Sequence, residues 1–154
     1  MDLSDLIEAS AVMPALKANS KKQVLQLLAE KAASVTGLPE REIFETILQR
    51  ERLGSTGVGN GIAIPHGKLA GIERITGVFA RLACPVEFEA LDDQPVDLVF
   101  LLLAPESAGA DHLKALSRTA RVLRDADTVA KIRGTSDASA IHSFLSEAAA
   151  TSAA

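Results

Sequence analysis

His66 is the side chain in this sequence best placed to do chemistry. It closes the segment Gly54-Ser55-Thr56-Gly57-Val58-Gly59-Asn60-Gly61-Ile62-Ala63-Ile64-Pro65-His66-Gly67, a glycine-rich stretch followed by a short apolar run. Glycines let a second molecule approach the main chain closely, so the segment reads as a recognition surface that delivers an imidazole. Imidazole is the side chain most easily tuned near neutral pH. Pro65 fixes the approach of the chain and Gly67 clears its exit, so the ring is expected to point to solvent. On the residues alone, an exposed turn histidine without a function remains the other reading.

Four more side chains belong to the same question. Arg50 precedes the loop, and a guanidinium can meet a phosphoryl group with two parallel hydrogen bonds; its alternative is a surface salt bridge. Ser55 and Thr56 offer hydroxyls to a phosphoryl oxygen or to an imidazole, but both also suit turns. His112 sits in the first turn of a helix beside Asp111 and reads by spacing as an ordinary, partly exposed helix residue. His142, next to Ile141, reads as surface. The three histidines are scattered, with none at i, i+4 spacing near an acid, so no metal site is expected. The glycine segment lacks the Gly-Lys-Ser/Thr ending of a nucleotide-binding loop. It also leads into an extended run rather than a helix, which argues against a dinucleotide fingerprint.

The elements that position these residues can be read from periodicity. Ser20 caps a helix whose inner face is Val24, Leu27, Leu28, Ala32 and Val35 and which stops at Gly37. Pro39 opens a second helix with the apolar face Ile43, Phe44, Ile47, Leu48 and with Arg50, Glu51 and Arg52 at its end. Residues 75–82 and 96–103 read as strands, the second so continuously apolar that it must be central, with Pro95 and Pro105 marking its limits. Glu87, Glu89, Asp92 and Asp93 suggest an exposed connection between them. A third long helix starts near Gly109 and Asp111, with Leu113, Leu116, Ala120 and Leu123 inward and Lys114, Arg118, Arg121 and Arg124 outward. A short helix over 128–132 follows, then a last helix opened by Ser136 and Asp137 and packed through Ile141, Phe144 and Leu145. The Ala-rich tail, 148–154, is expected to fray.

Helices at both ends and strands between them indicate an α/β layered fold. At 154 residues the chain suits a single domain, 1–154, with its ordered core over about 3–147. Aromatic residues are only 3% and there is no Trp or Tyr, so the core is expected to be aliphatic. Cys84 is the sole cysteine, which excludes an internal disulfide and a Cys-based zinc site; it reads as buried apolar filler in a reducing compartment. The acidic amino terminus and the lack of a long apolar run point to a cytoplasmic protein without membrane insertion. A net charge of −4 gives no reason to expect nucleic acid binding and favours a basic protein partner.

The string from Gln49 through Lys68, with its ending Ile64-Pro65-His66-Gly67, resembles the active-site segment of enzyme IIA of the phosphoenolpyruvate-dependent phosphotransferase system, most closely the nitrogen-regulatory type. Asp93-Gln94-Pro95-Val96-Asp97-Leu98-Val99-Phe100 and His112-Leu113-Lys114-Ala115-Leu116-Ser117 resemble that family's central strand entry and second-histidine helix. The resemblance implies a single-domain layered sandwich in which helices flank a mixed five-stranded sheet, as in the mannitol and fructose domains, with no metal and no organic cofactor. By position it implies that His66 is the phosphorylated residue, His112 its active-site neighbour and Arg50 the nearby positive charge. The partners implied are an HPr-like carrier of the nitrogen branch and regulatory target proteins of nitrogen or potassium metabolism. Two other functions stay open: a sugar-uptake enzyme IIA that passes phosphate to a transport domain, and a nonenzymatic sensing domain in which His66 is inert.

Overall fold

The computed structural model describes residues 3–153, with side chains described as far as Ala148. A short helix α1 (Leu3–Leu6) and a 3-10 turn lead into strand β1 (Val12–Leu16), followed by helices α2 (Lys21–Thr36) and α3 (Glu40–Leu53). Strands β2 (Gly57–Gly59), β3 (Ile62–Ala63), β4 (His66–Leu69), β5 (Thr76–Val86) and β6 (Val96–Pro105) come next, then helices α4 (Ala110–Leu123), α5 (Ala126–Arg133) and α6 (Ala138–Ala153). Residues 148–153 of the Ala-rich segment thus continue α6.

The helix boundaries follow local chemistry. Ser20 accepts a hydrogen bond from the Gln23 amide at the start of α2, and Gly37 ends the helix in the left-handed conformation. Its buried face is Val24, Leu25, Leu28, Ala29 and Ala32, so Leu27 and Val35 lie at the margin of the stripe.

The strands form one mixed sheet in the order β1-β5-β6-β3-β2, with β4 also paired to β6. Both β3 and β4 run parallel to β6 in a single unbroken register: Ile62 faces Leu98, Ala63 faces Val99, His66 faces Leu102 and Leu69 faces Pro105. They are therefore one strand position interrupted at Ile64-Pro65, and the five expected positions hold six strands. Proline has no N–H to give a ladder, which accounts for the break. His66 is the first residue beyond it.

Residues Leu98 to Ala104 of β6 are all buried, as a strand covered on both faces requires. Helices α2 and α3 pack on each other and reach β5 and β4, while α4, α5 and α6 group together against β6 and β1. The core is aliphatic apart from Phe79, Phe88 and Phe100, the first and last of which meet edge to face at 6.0 Å.

Three expectations are corrected, and one strand is added. Cys84 is exposed, because β5 leaves regular pairing with β6 between Arg81 and Val86 and turns that stretch outward. The inner face of α4 is His112, Ala115, Thr119, Val122 and Leu123; Leu113 points out, 69% exposed. His142 is half-buried with Nε2 2.9 Å from the Ile7 carbonyl, tying α6 to the segment after α1. Strand β1, with Pro14 inside five residues, carries no readable strand pattern; it pairs only with β5, at an edge where a proline is tolerated.

Candidate active site

His66 stands where α3, the glycine segment and the start of α4 converge. Helix α3 can lie close to β4 because Gly67 has no side chain: a Cβ there would sit 2.9 Å from Thr46 Cγ2. Arg50, one turn beyond Thr46, is thereby brought to the imidazole. The ring is half-buried, so it is more enclosed than the solvent-pointing side chain expected.

Nδ1 of His66 is 2.9 Å from the Ile64 carbonyl oxygen. A carbonyl can only accept, so Nδ1 carries the proton and the lone pair is on Nε2. Arg50 Nε donates to that Nε2 at 3.3 Å, and Arg50 Nη1 donates to the Gly54 carbonyl at 3.0 Å. Both bonds select the same neutral tautomer.

His112 is buried at 6% exposure, and its ring lies edge-on to His66 with centroids 5.7 Å apart. Its Nε2 is buried without a hydrogen-bond partner, an unusual and costly state for a polar nitrogen. Burial lowers the pKa of His66, reinforced by Arg50 and opposed by the Ile64 bond and Glu51. Burial likewise lowers that of His112, with further contributions from His66 and Lys68. Both shifts favour the neutral ring. In an NMR titration each is expected to have its midpoint below the ordinary value near 6.5, and a higher midpoint at either ring would contradict this geometry. Because both folded values are depressed, the stability tied to them is complete above about pH 6.5 and declines as pH falls below it.

Ser55 and Thr56 take the turn role that the sequence offered as the alternative to binding a phosphoryl group. Ser55 Oγ donates to the Phe88 carbonyl at 2.7 Å and accepts from the Gly57 amide at 3.0 Å. Thr56 is buried, and its hydroxyl donates to Glu51. Both hydroxyls brace the loop.

Glu51 is the residue that sequence reasoning missed. Its side chain is only 3% exposed and takes an ion pair from Lys21 Nζ at 2.8 Å, together with the Thr56 amide at 3.2 Å. One signal was available: a carboxylate in the last turn of a helix opposes the dipole, and so needs another reason to be there.

The β2–β3 hairpin turns through Asn60 and Gly61, with φ of 57° and 80°. Asp92 accepts from the Asn60 amide at 2.9 Å, and this bond, then one from Gln94, holds its carboxyl below the usual range. On the other side Arg133 donates to the Asn60 carbonyl at 2.7 Å while paired to both oxygens of Asp97.

Large exposed apolar side chains among the described residues are Leu53, Val58, Leu91 and Leu113. Leu53 follows Arg50 on α3, Leu113 follows His112, Val58 lies in the glycine segment and Leu91 donates its amide to Gly57. Ile62 and Leu69, close to His66 in the chain, are buried and lie outside this set.

A family profile described as phosphoenolpyruvate-dependent sugar phosphotransferase system, EIIA 2, matches residues 5–148. The chain belongs to this enzyme IIA family. A nitrogen regulatory protein of Bradyrhizobium diazoefficiens is 61% identical, covering 99% of this chain and all of that protein. The crystal structure of nitrogen regulatory protein IIA-Ntr from Neisseria meningitidis superposes with a TM-score of 0.88 at 34% identity, over 93% of this chain and 98% of that one. The Escherichia coli mannitol enzyme IIA shares the fold, with a TM-score of 0.76 at 20% identity over 90% and 97% of the two chains. Within the enzyme IIA family the chain is of the nitrogen-regulatory type.

Proposed function

We propose that this protein is a phosphocarrier that accepts a phosphoryl group on Nε2 of His66. The observation that carries the reading is the fixed tautomer: Nδ1 is committed to the Ile64 carbonyl, and the lone pair sits on Nε2 between Arg50 and His112. The donor is a phosphohistidine on a small HPr-like carrier of the nitrogen branch.

Nε2 attacks phosphorus in line as the donor's N–P bond breaks, and that bond's electron pair returns to the donor imidazole. Arg50 must leave Nε2 for this to happen, and its guanidinium then pairs with the oxygens of the arriving group. The proton on Nδ1 stays, held by the Ile64 carbonyl, and spreads the positive charge of the phosphorylated ring. His112, with its own proton on Nε2, donates to a phosphoryl oxygen, which gives its unpartnered nitrogen a use. Donor and acceptor are both imidazoles, so the transfer is near balance and reversible.

The carrier docks on the exposed apolar side chains beside the site, Val58, Leu53, Leu91 and Leu113, in a small transient contact. Phosphorylation then adds strong charge at one surface point, and target proteins distinguish the two states. No helix among the described residues is long and apolar enough to cross a membrane, which suits a cytoplasmic carrier.

The test is incubation with phosphoenolpyruvate, an enzyme I type kinase and the carrier, followed by mass spectrometry. An acid-labile gain of one phosphate supports the reading, and no gain with any carrier makes His66 inert. Onward transfer to a sugar-specific domain would move the protein to sugar uptake. His112→Ala is expected to slow uptake or shorten the phosphohistidine lifetime roughly 10–100-fold, and unchanged values would leave His112 a packing residue.

A further inference from the structure

The transfer as described makes no use of Glu51, although a buried carboxylate is among the costliest groups a fold can hold. Its counter-ion Lys21 lies in the first turn of α2, so both charges sit at the helix ends that disfavour them. Replacing such a pair by apolar side chains often leaves a fold as stable or more so, so stability does not explain the pair.

The backbone between Glu51 and His66 supplies the explanation. Gly57 faces Ala63 across the hairpin, so Thr56 faces Ile64. An antiparallel pair of this kind exchanges two hydrogen bonds. Here one is made, from the Ile64 amide to the Thr56 carbonyl at 3.0 Å. The second is missing because the Thr56 amide is turned to Glu51, and the Ile64 carbonyl accepts from His66 Nδ1 instead. Glu51 also takes the Thr56 hydroxyl, holding that residue at two points.

We infer that Glu51, with Lys21 as its counter-ion, is a positioning residue for His66: it diverts the Thr56 amide from the ladder and so leaves the Ile64 carbonyl free to fix the imidazole. The inference rests on His66 being the phosphoryl acceptor. Without Glu51 the Thr56 amide returns to the Ile64 carbonyl and competes with Nδ1. Arg50 still favours the same tautomer from Nε2, so the ring loses one of its two restraints.

The test uses the full-length protein and the paired replacement Lys21→Met/Glu51→Leu, which removes both charges together. Long-range 1H–15N correlation spectra report the His66 tautomer, and a labelling time course reports phosphoryl uptake. The parent is expected to show the Nδ1–H form alone. The paired variant is expected to fold, to show both tautomers and to take up phosphate roughly 10–100-fold more slowly. Glu51→Gln keeps an acceptor for the Thr56 amide and is expected to shift both readouts less, in the same direction; it serves alone should the paired variant not fold. Parental tautomer and parental rate in the folded variants would overturn the inference. If the parent itself takes no phosphate, the acceptor role of His66 falls, while the tautomer spectra still decide what Glu51 does.

Discussion

His66→Ala is expected to take no phosphoryl group from a phosphorylated carrier while folding like the parent. The loss is complete because no second nitrogen can replace Nε2: His112 is buried behind His66 and His142 is committed to the Ile7 carbonyl. The fold survives because the ring is only half-buried and its two hydrogen bonds, to Ile64 and from Arg50, are worth about 1 kcal/mol each. For a chain of this size that is roughly 4–8 °C in melting temperature. Mass spectrometry after labelling and a thermal melt check both halves, and full labelling of a folded variant would remove His66 from the mechanism.

Gly61→Ala is expected to lower the stability of the protein. Gly61 has φ of 80°, and a Cβ there would collide with Arg133 Nη2 and lie 2.7 Å from Asp97 Oδ1. The substitution therefore strains the backbone and forces apart the ion pair that clamps the hairpin. The Gly61 carbonyl also accepts from the amides of Asp97 and Leu98, so the entry to β6 moves with it. Backbone strain and the displaced clamp together should cost on the order of 2 kcal/mol, or about 6 °C in melting temperature. Asn60→Gly is the control, because asparagine already tolerates its left-handed conformation and glycine adopts it freely. A Gly61→Ala protein melting within a degree or two of the parent would show that the hairpin yields more easily than this packing allows.

What the sequence made legible was whatever is decided locally. The Ser20 cap, the Gly37 stop and the unbroken apolar run of β6 each encode their structure within a few residues. The phase of α4 was not legible, since a leucine next to a histidine is the natural inward choice; the fold instead turns His112 in, against His66. Cys84 failed for a related reason, because a strand's break in pairing is set by its neighbour. Spacing alone could not join Arg50, His66 and His112; the family resemblance grouped them, and the packing of α3, β4 and α4 places them together. Glu51 was overlooked because its meaning depends on Lys21, Thr56 and the missing ladder bond, all tertiary facts. For Ser55 and Thr56 the sequence leaves phosphoryl binding and a turn role both open, and only the packed loop shows their hydroxyls holding it.

The most direct measurement on the mechanism is to phosphorylate the protein enzymatically and locate the phosphorus by 31P–15N couplings in the uniformly 15N-labelled product. The geometry predicts one coupled nitrogen, Nε2 of His66, with a proton retained on Nδ1. Phosphorus on Nδ1 of His66, or on either nitrogen of His112, would contradict it.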